Sequence, residues 1–153
     1  MGWPKDKFNP LQFFLGYLFD NVSLYWFHEF FHWVSVTMFG GQAVVRAAFG
    51  LLPVFITDIS VWPLELWKQV IVTLLGGWGV AAYCWFKWSQ TTDIENRIIY
   101  NALGWAQFFE GSIEGISWML GIYSHPQVIQ LRVIAILGAT LIALARSKRM
   151  WTG

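Results

Sequence analysis

The chain has 153 residues, 56% hydrophobic and 19% aromatic, with only 12% charged and a formal net charge of +1. A soluble domain carries about twice that share of charge, and a nucleic-acid binder needs a dense basic patch, so composition argues against both. It predicts a single polytopic membrane domain over residues 1–153, with the lipid bilayer as its surroundings.

Four apolar blocks, Leu11 to Phe39, Pro63 to Trp85, Ile98 to Gly121 and Val128 to Ala145, approach or exceed the roughly 20 residues that cross about 30 Å of hydrocarbon. The expected fold is all-α, with about four transmembrane helices and a short β-hairpin or re-entrant segment after the first. As one helix the first block would run about 43 Å, too long for one straight crossing. Asp20, Asn21 and Ser23 interrupt it, and each can cap a helix beginning near Val22, so a break is expected there. The connector Gly40 to Pro53, GGQAVVRAAFGLLP, places Val44 and Val45 between glycines and suits a short strand or, equally, a covering loop.

In the second block Gly76, Gly77, Gly79 and Ala81 predict close helix packing, and Cys84, the single cysteine, reads as a small apolar filler. Asp93 is placed to cap the third helix. His125, before Pro126, reads as a solvated loop residue. Lys5 and Lys7, Lys87 and Arg97, and Arg146, Lys148 and Arg149 fall in three regions that four crossings put on one side. The excess of cations there predicts that both termini are cytoplasmic, and tryptophans such as Trp3, Trp62, Trp67, Trp85 and Trp151 lie near the expected span ends as an interfacial belt. The first run is too long for a cleaved signal peptide and carries Asp20.

Within the first block, residues 26–33 read W-F-H-E-F-F-H-W. An ionisable group at bilayer depth costs about 2.5–3.5 kcal/mol on insertion scales, so it needs a partner that offsets the cost. His28-Glu29-Phe30-Phe31-His32 is H-E-x-x-H. On a helix the two imidazoles share one face and can bind one Zn2+, while Glu29 is free to take a proton from a zinc-activated water. A catalytic zinc of this kind has a third protein ligand. The third block offers candidates, because Gln107, Glu110, Glu114 and Ser117 recur at helical spacing and make a polar stripe on an apolar helix. Counted from the cytoplasmic side, His28 and Glu114 both lie about 25 Å in at helical rise, with Glu110 one turn nearer that surface.

HEFFHWVSVTMFGG resembles the signature of the site-2 protease family of intramembrane zinc proteases, and Asn101 to Gly111 loosely resembles that family's second motif, an Asn followed by an Asp-Gly pair. The resemblance covers about the first 50 residues and the third block, with Glu110 where the family has Asp, one extra residue of spacing and no matching prolines. It implies hydrolysis of a membrane protein substrate, Glu29 as catalytic base, and His28, His32 and Glu110 as zinc ligands; the Glu110-x-x-x-Glu114 spacing also resembles zinc peptidases with an acidic group four residues after a glutamate ligand, which implies Glu114 orienting a histidine or replacing Glu110. The site-2 protease resemblance also implies an edge strand, through Val44 and Val45, that pairs with unwound substrate. We set Gln107 beside these as a substrate-facing group.

Two other classes fit some of the same residues. In a non-catalytic subunit of a membrane complex, the His and Glu side chains hold a structural metal or pair with one another, Glu110 and Glu114 bonding Gln107 or Ser117. A membrane di-iron oxygenase needs many more histidines than the 3 present.

Overall fold

The structure, a computed structural model, describes residues 10–49, 53–58 and 64–151. Its elements run α1 (Pro10–Met38), β1 (Val44–Phe49), β2 (Pro53–Asp58), α2 (Leu66–Gln90), α3 (Ile94–Met119) and α4 (Pro126–Trp151). The chain is therefore mostly helical, with one antiparallel hairpin between the first two helices. Trp3, Lys5, Lys7 and Trp62, used above for orientation and the interfacial belt, lie outside the described residues.

The expected break near Asp20 does not occur: α1 is one helix of 29 residues. The Ser23 hydroxyl donates to the Phe19 carbonyl 2.9 Å away, a bond to the preceding turn that a helix interior satisfies, so the residue need not act as a cap. α1 is closed off just beyond Met38 by Gly40, whose φ of 77° is open to glycine at little cost. There Gly40 N–H donates to Thr37 and Gly41 N–H to Val36, closing the last carbonyls in a Schellman arrangement. Gly121 ends α3 in the same way, with bonds to Trp118 and, from Ile122, to Ser117. At the other end of α3, Asp93 caps as expected, its Oδ1 accepting from Asn96 N–H at 2.8 Å.

The connector takes the strand option. β1 and β2 pair antiparallel from Val44 opposite Asp58 to Phe49 opposite Pro53. Both strands contact α1. Among the described residues the sheet has two strands, so β1 keeps an outer edge of backbone groups with no strand against it.

α3 packs between α2 and α4, and α1 lies chiefly on α2. The α2–α3 approach depends on glycine: a Cβ on Gly111 would stand 2.9 Å from Gly77 Cα and 2.9 Å from the Leu74 carbonyl. Phe13, Leu24, Val80, Cys84, Ile98, Ile99 and Leu103 form the apolar core, with Cys84 as one of its fillers. The Trp85 indole packs on Trp105 and Phe108, and α2 continues beyond it to Gln90.

Polarity is inverted relative to a water-soluble bundle. His28, His32, Gln107, Glu110 and Glu114 are buried, while Leu131, Val133, Ile134, Leu137, Leu141 and Ile142 of α4 face outward. Helix α2 and the stretch Pro126–Ala143 of α4 are long and apolar enough to cross a membrane.

Replacing Gly111 by valine is expected to overpack the α2–α3 contact and cost about 1–3 kcal/mol. The check is the thermal midpoint of the purified protein in detergent, which should fall well below that of a control substitution at outward-facing Ile116.

Candidate metal centre

The first two polar side chains come from one turn of α1. His28 and His32 are four residues apart, so their rings meet edge-on along one helix face with centroids 4.6 Å apart. Glu29, on the neighbouring face, is buried too. Ligand atoms of His28, Glu29 and His32 all lie within 4.8 Å of one another.

Each imidazole is held by its Nδ1. His32 Nδ1 lies 2.7 Å from the Val72 carbonyl of α2. An N–H there donates to that carbonyl and leaves Nε2 with its lone pair. His28 Nδ1 lies 3.2 Å from Gln107 Oε1 of α3. The Gln107 amide is itself oriented, its Nε2 donating to Glu110 Oε2 at 3.2 Å. Glu110 Oε1 accepts from Arg132 Nη2 of α4 at 2.8 Å. A run of guanidinium, carboxylate, amide and imidazole thus crosses the bundle from α4 to α1.

Glu114 faces the other ring nitrogens. Its Oε2 is 3.2 Å from His28 Nε2 and 3.8 Å from His32 Nε2. Its Oε1 accepts from the Tyr123 hydroxyl at 2.8 Å and lies 3.5 Å from Arg132 Nη2. Burial, with the Glu114 carboxylate adding to it, pushes the Tyr123 phenol up to about 12, so it stays a donor through the neutral range.

The donor set fits a small cation. Metal bonds of about 2.0–2.2 Å in a tetrahedron put neighbouring ligand atoms about 3.3–3.6 Å apart, and the two Glu114–imidazole distances bracket that edge. Glu110 and Glu114 share one guanidinium, which leaves one carboxylate charge formally unbalanced by Arg132 beside the imidazoles. Gly76 of α2 keeps the space clear: a Cβ there would collide with the His32 ring and stand 2.8 Å from His28 Nε2.

The structure thus brings together His28, Glu29, His32, Gln107, Glu110 and Glu114 and distributes them unevenly. Glu114 meets both imidazoles, whereas Glu110 is engaged by Arg132 and Gln107. The Ser117 hydroxyl bonds the Glu114 backbone carbonyl and does not reach the carboxylates. Val44 and Val45 sit apart on β1 with exposed side chains.

Arg132 and Tyr123 are absent from the sequence reading. Arg132 had a signal: it is a cation inside the fourth apolar block, and such a group needs a buried partner. Tyr123 had none, since only the folding back of the α3–α4 turn brings it to Glu114. Gly76, read with its neighbours as a packing residue, differs from Gly77 in facing the imidazoles.

Comparison of the chain with protein-family models, with curated proteins and with solved structures finds no match.

Gly76→Ala is expected to fill the space between the imidazoles and weaken any divalent-cation binding there about 10- to 100-fold, the usual range for disturbing the groups around a metal ligand. Zinc content by plasma mass spectrometry after dialysis against a graded chelator series measures it, with Gly79→Ala, which faces Phe31, as the comparison.

Proposed function

We propose that this protein is an intramembrane zinc metalloprotease with four spans and both termini in the cytoplasm. The observation that carries the reading is the position of Glu114 Oε2 opposite both imidazole Nε2 atoms, at 3.2 and 3.8 Å, on either side of a tetrahedral edge. On this reading the third ligand is Glu114, and Glu110 and Gln107 orient His28. The inverted polarity of the bundle and its two membrane-capable helices support the membrane assignment. The likeness of HEFFHWVSVTMFGG to the site-2 protease signature supports the reaction class.

His28, His32 and Glu114 would hold the ion, leaving a coordination position for water or substrate. Bound zinc supplies Lewis acidity, polarising a carbonyl oxygen and lowering the pKa of water toward about 7. Glu29 accepts the proton of the attacking water and hands it to the leaving amine as the peptide C–N bond breaks. The apolar surroundings keep bulk water away, which strengthens the field of each charged group at the scissile bond.

The centre lies near the hairpin end of the bundle. His32 is six residues before the end of α1, Glu114 five before the end of α3 and Arg132 six after the start of α4, each about 8–9 Å at helical rise. The outer edge of β1, with Val44 and Val45, is therefore at the end of the bundle where an unwound substrate would enter. Extended substrate can add a strand there by backbone pairing, and a helix must unwind first because its carbonyls are closed by internal hydrogen bonds.

A second reading, a structural subunit with no catalysis, is favoured by one distance. At 3.2 Å, His28 Nε2 and Glu114 Oε2 are also within reach of a direct hydrogen bond from a protonated imidazole.

Glu29→Gln separates the two. The protease should keep one equivalent of zinc and lose about 10²- to 10⁴-fold in turnover, the usual contribution of a general base. The assay is cleavage of a fluorescently labelled single-span peptide with a glycine-broken helix, in reconstituted vesicles. Wild-type protein that holds zinc yet cleaves neither this peptide nor a set of glycine- and proline-broken variants would sink the protease reading in favour of the structural one.

A further inference from the structure

The half-buried cation of α4 has no part in the reaction proposed above, yet it touches both carboxylates of the centre. We infer that Arg132, together with Tyr123, is a positioning residue that fixes the tautomer of His28 and the one-oxygen binding mode of Glu114; the inference rests on the metal reading.

The first arm runs through Glu110. An ionised carboxylate only accepts hydrogen bonds, so with Glu110 Oε1 on Arg132 its Oε2 must draw the amide N–H of Gln107. The amide carbonyl then has to face His28, and Nδ1 has to carry the hydrogen. In the neutral ring that leaves the lone pair on Nε2, the nitrogen that faces Glu114 Oε2. Without the guanidinium, Glu110 has no charged partner to hold its orientation. The Gln107 amide can then turn over and present N–H to His28, which favours the wrong tautomer.

The second arm acts on Glu114 directly. Its Oε1 is occupied by the Tyr123 hydroxyl at 2.8 Å, with Arg132 Nη2 at 3.5 Å, so Oε2 alone points at the imidazoles. The guanidinium also lies over the Tyr123 ring, 5.8 Å from its centroid, which ties the two donors into one unit. A carboxylate held by one oxygen gives a four-coordinate ion with room for a reacting group. Freed of this clamp, Glu114 can swing both oxygens onto the ion and close that room.

A simple counter-charge would be replaceable by any cation, whereas here one nitrogen, Nη2, reaches both carboxylates while the flat guanidinium lies over the Tyr123 ring, a combination a lysine ammonium does not reproduce. The test uses full-length protein in detergent with two readouts besides cleavage: zinc affinity by chelator competition, and the visible absorption of the Co2+-substituted protein, which is intense for four-coordinate cobalt and weak for five-coordinate. Arg132→Gln is expected to weaken zinc about 10- to 100-fold. Arg132→Lys should restore thermal stability without restoring zinc affinity, and Tyr123→Phe should keep zinc bound while the cobalt absorption falls. Should Arg132→Gln fail to fold, the Tyr123→Phe spectrum and the Arg132→Lys affinity decide. Wild-type zinc affinity in Arg132→Lys, together with an unchanged cobalt spectrum in Tyr123→Phe, overturns the inference. Wild-type protein that takes up no zinc overturns the metal reading, and this inference with it.

Discussion

The centre depends on a constraint of desolvation. Two carboxylates and two imidazoles buried between helices cannot stay ionised or oriented unless each polar atom meets a partner, because an isolated charge there is far costlier than in water. Arg132 is the group around which that requirement is met: one nitrogen serves Glu110 at 2.8 Å and lies 3.5 Å from Glu114. Four elements converge for this purpose. α1 brings the imidazoles, α2 the Val72 carbonyl and the gap at Gly76, α3 the carboxylates and α4 the guanidinium. Among the described residues no buried side-chain nitrogen or oxygen is left without a hydrogen-bond partner.

The scaffold makes this convergence possible by bringing backbones close where side chains are absent. Gly77 and Gly111 let α2 and α3 touch through main-chain atoms, which fixes the rotation of α3 and with it which of its stripe residues faces α1. A rotation of that helix by about 100°, the angle between successive residues, would carry the whole polar stripe away from α1. The same contact sets Gly76 opposite the imidazoles, so a single close approach serves both packing and the open space at the centre.

Much of this was legible locally. H-E-x-x-H is a one-helix pattern, and helical spacing alone puts His28 and His32 on one face; the Asp93 cap and the strand at Val44 and Val45 are likewise short-range. The division between Glu110 and Glu114 was not legible, because they are one turn apart on the same stripe and differ only in what lies across the bundle. The expected break at Asp20 followed from capping preferences that hold for an exposed helix start. Inside a long helix Ser23 has a carbonyl one turn back to bond, and the preference has no effect. Tyr123 depends on the loop conformation that Gly121 permits, a contact no spacing rule reaches.

The shallow placement of the histidine–glutamate cluster beneath the hairpin makes the two faces of the bundle unequal. From the hairpin side, an ion would travel less than two helical turns to reach His32 and Glu114. From the opposite side, the lower half of α1 and the Phe13, Leu24 and Ile99 core stand in the way. On the membrane reading proposed above, exchange of a bound ion would accordingly be sided, faster from the hairpin end of the bundle than from the opposite end.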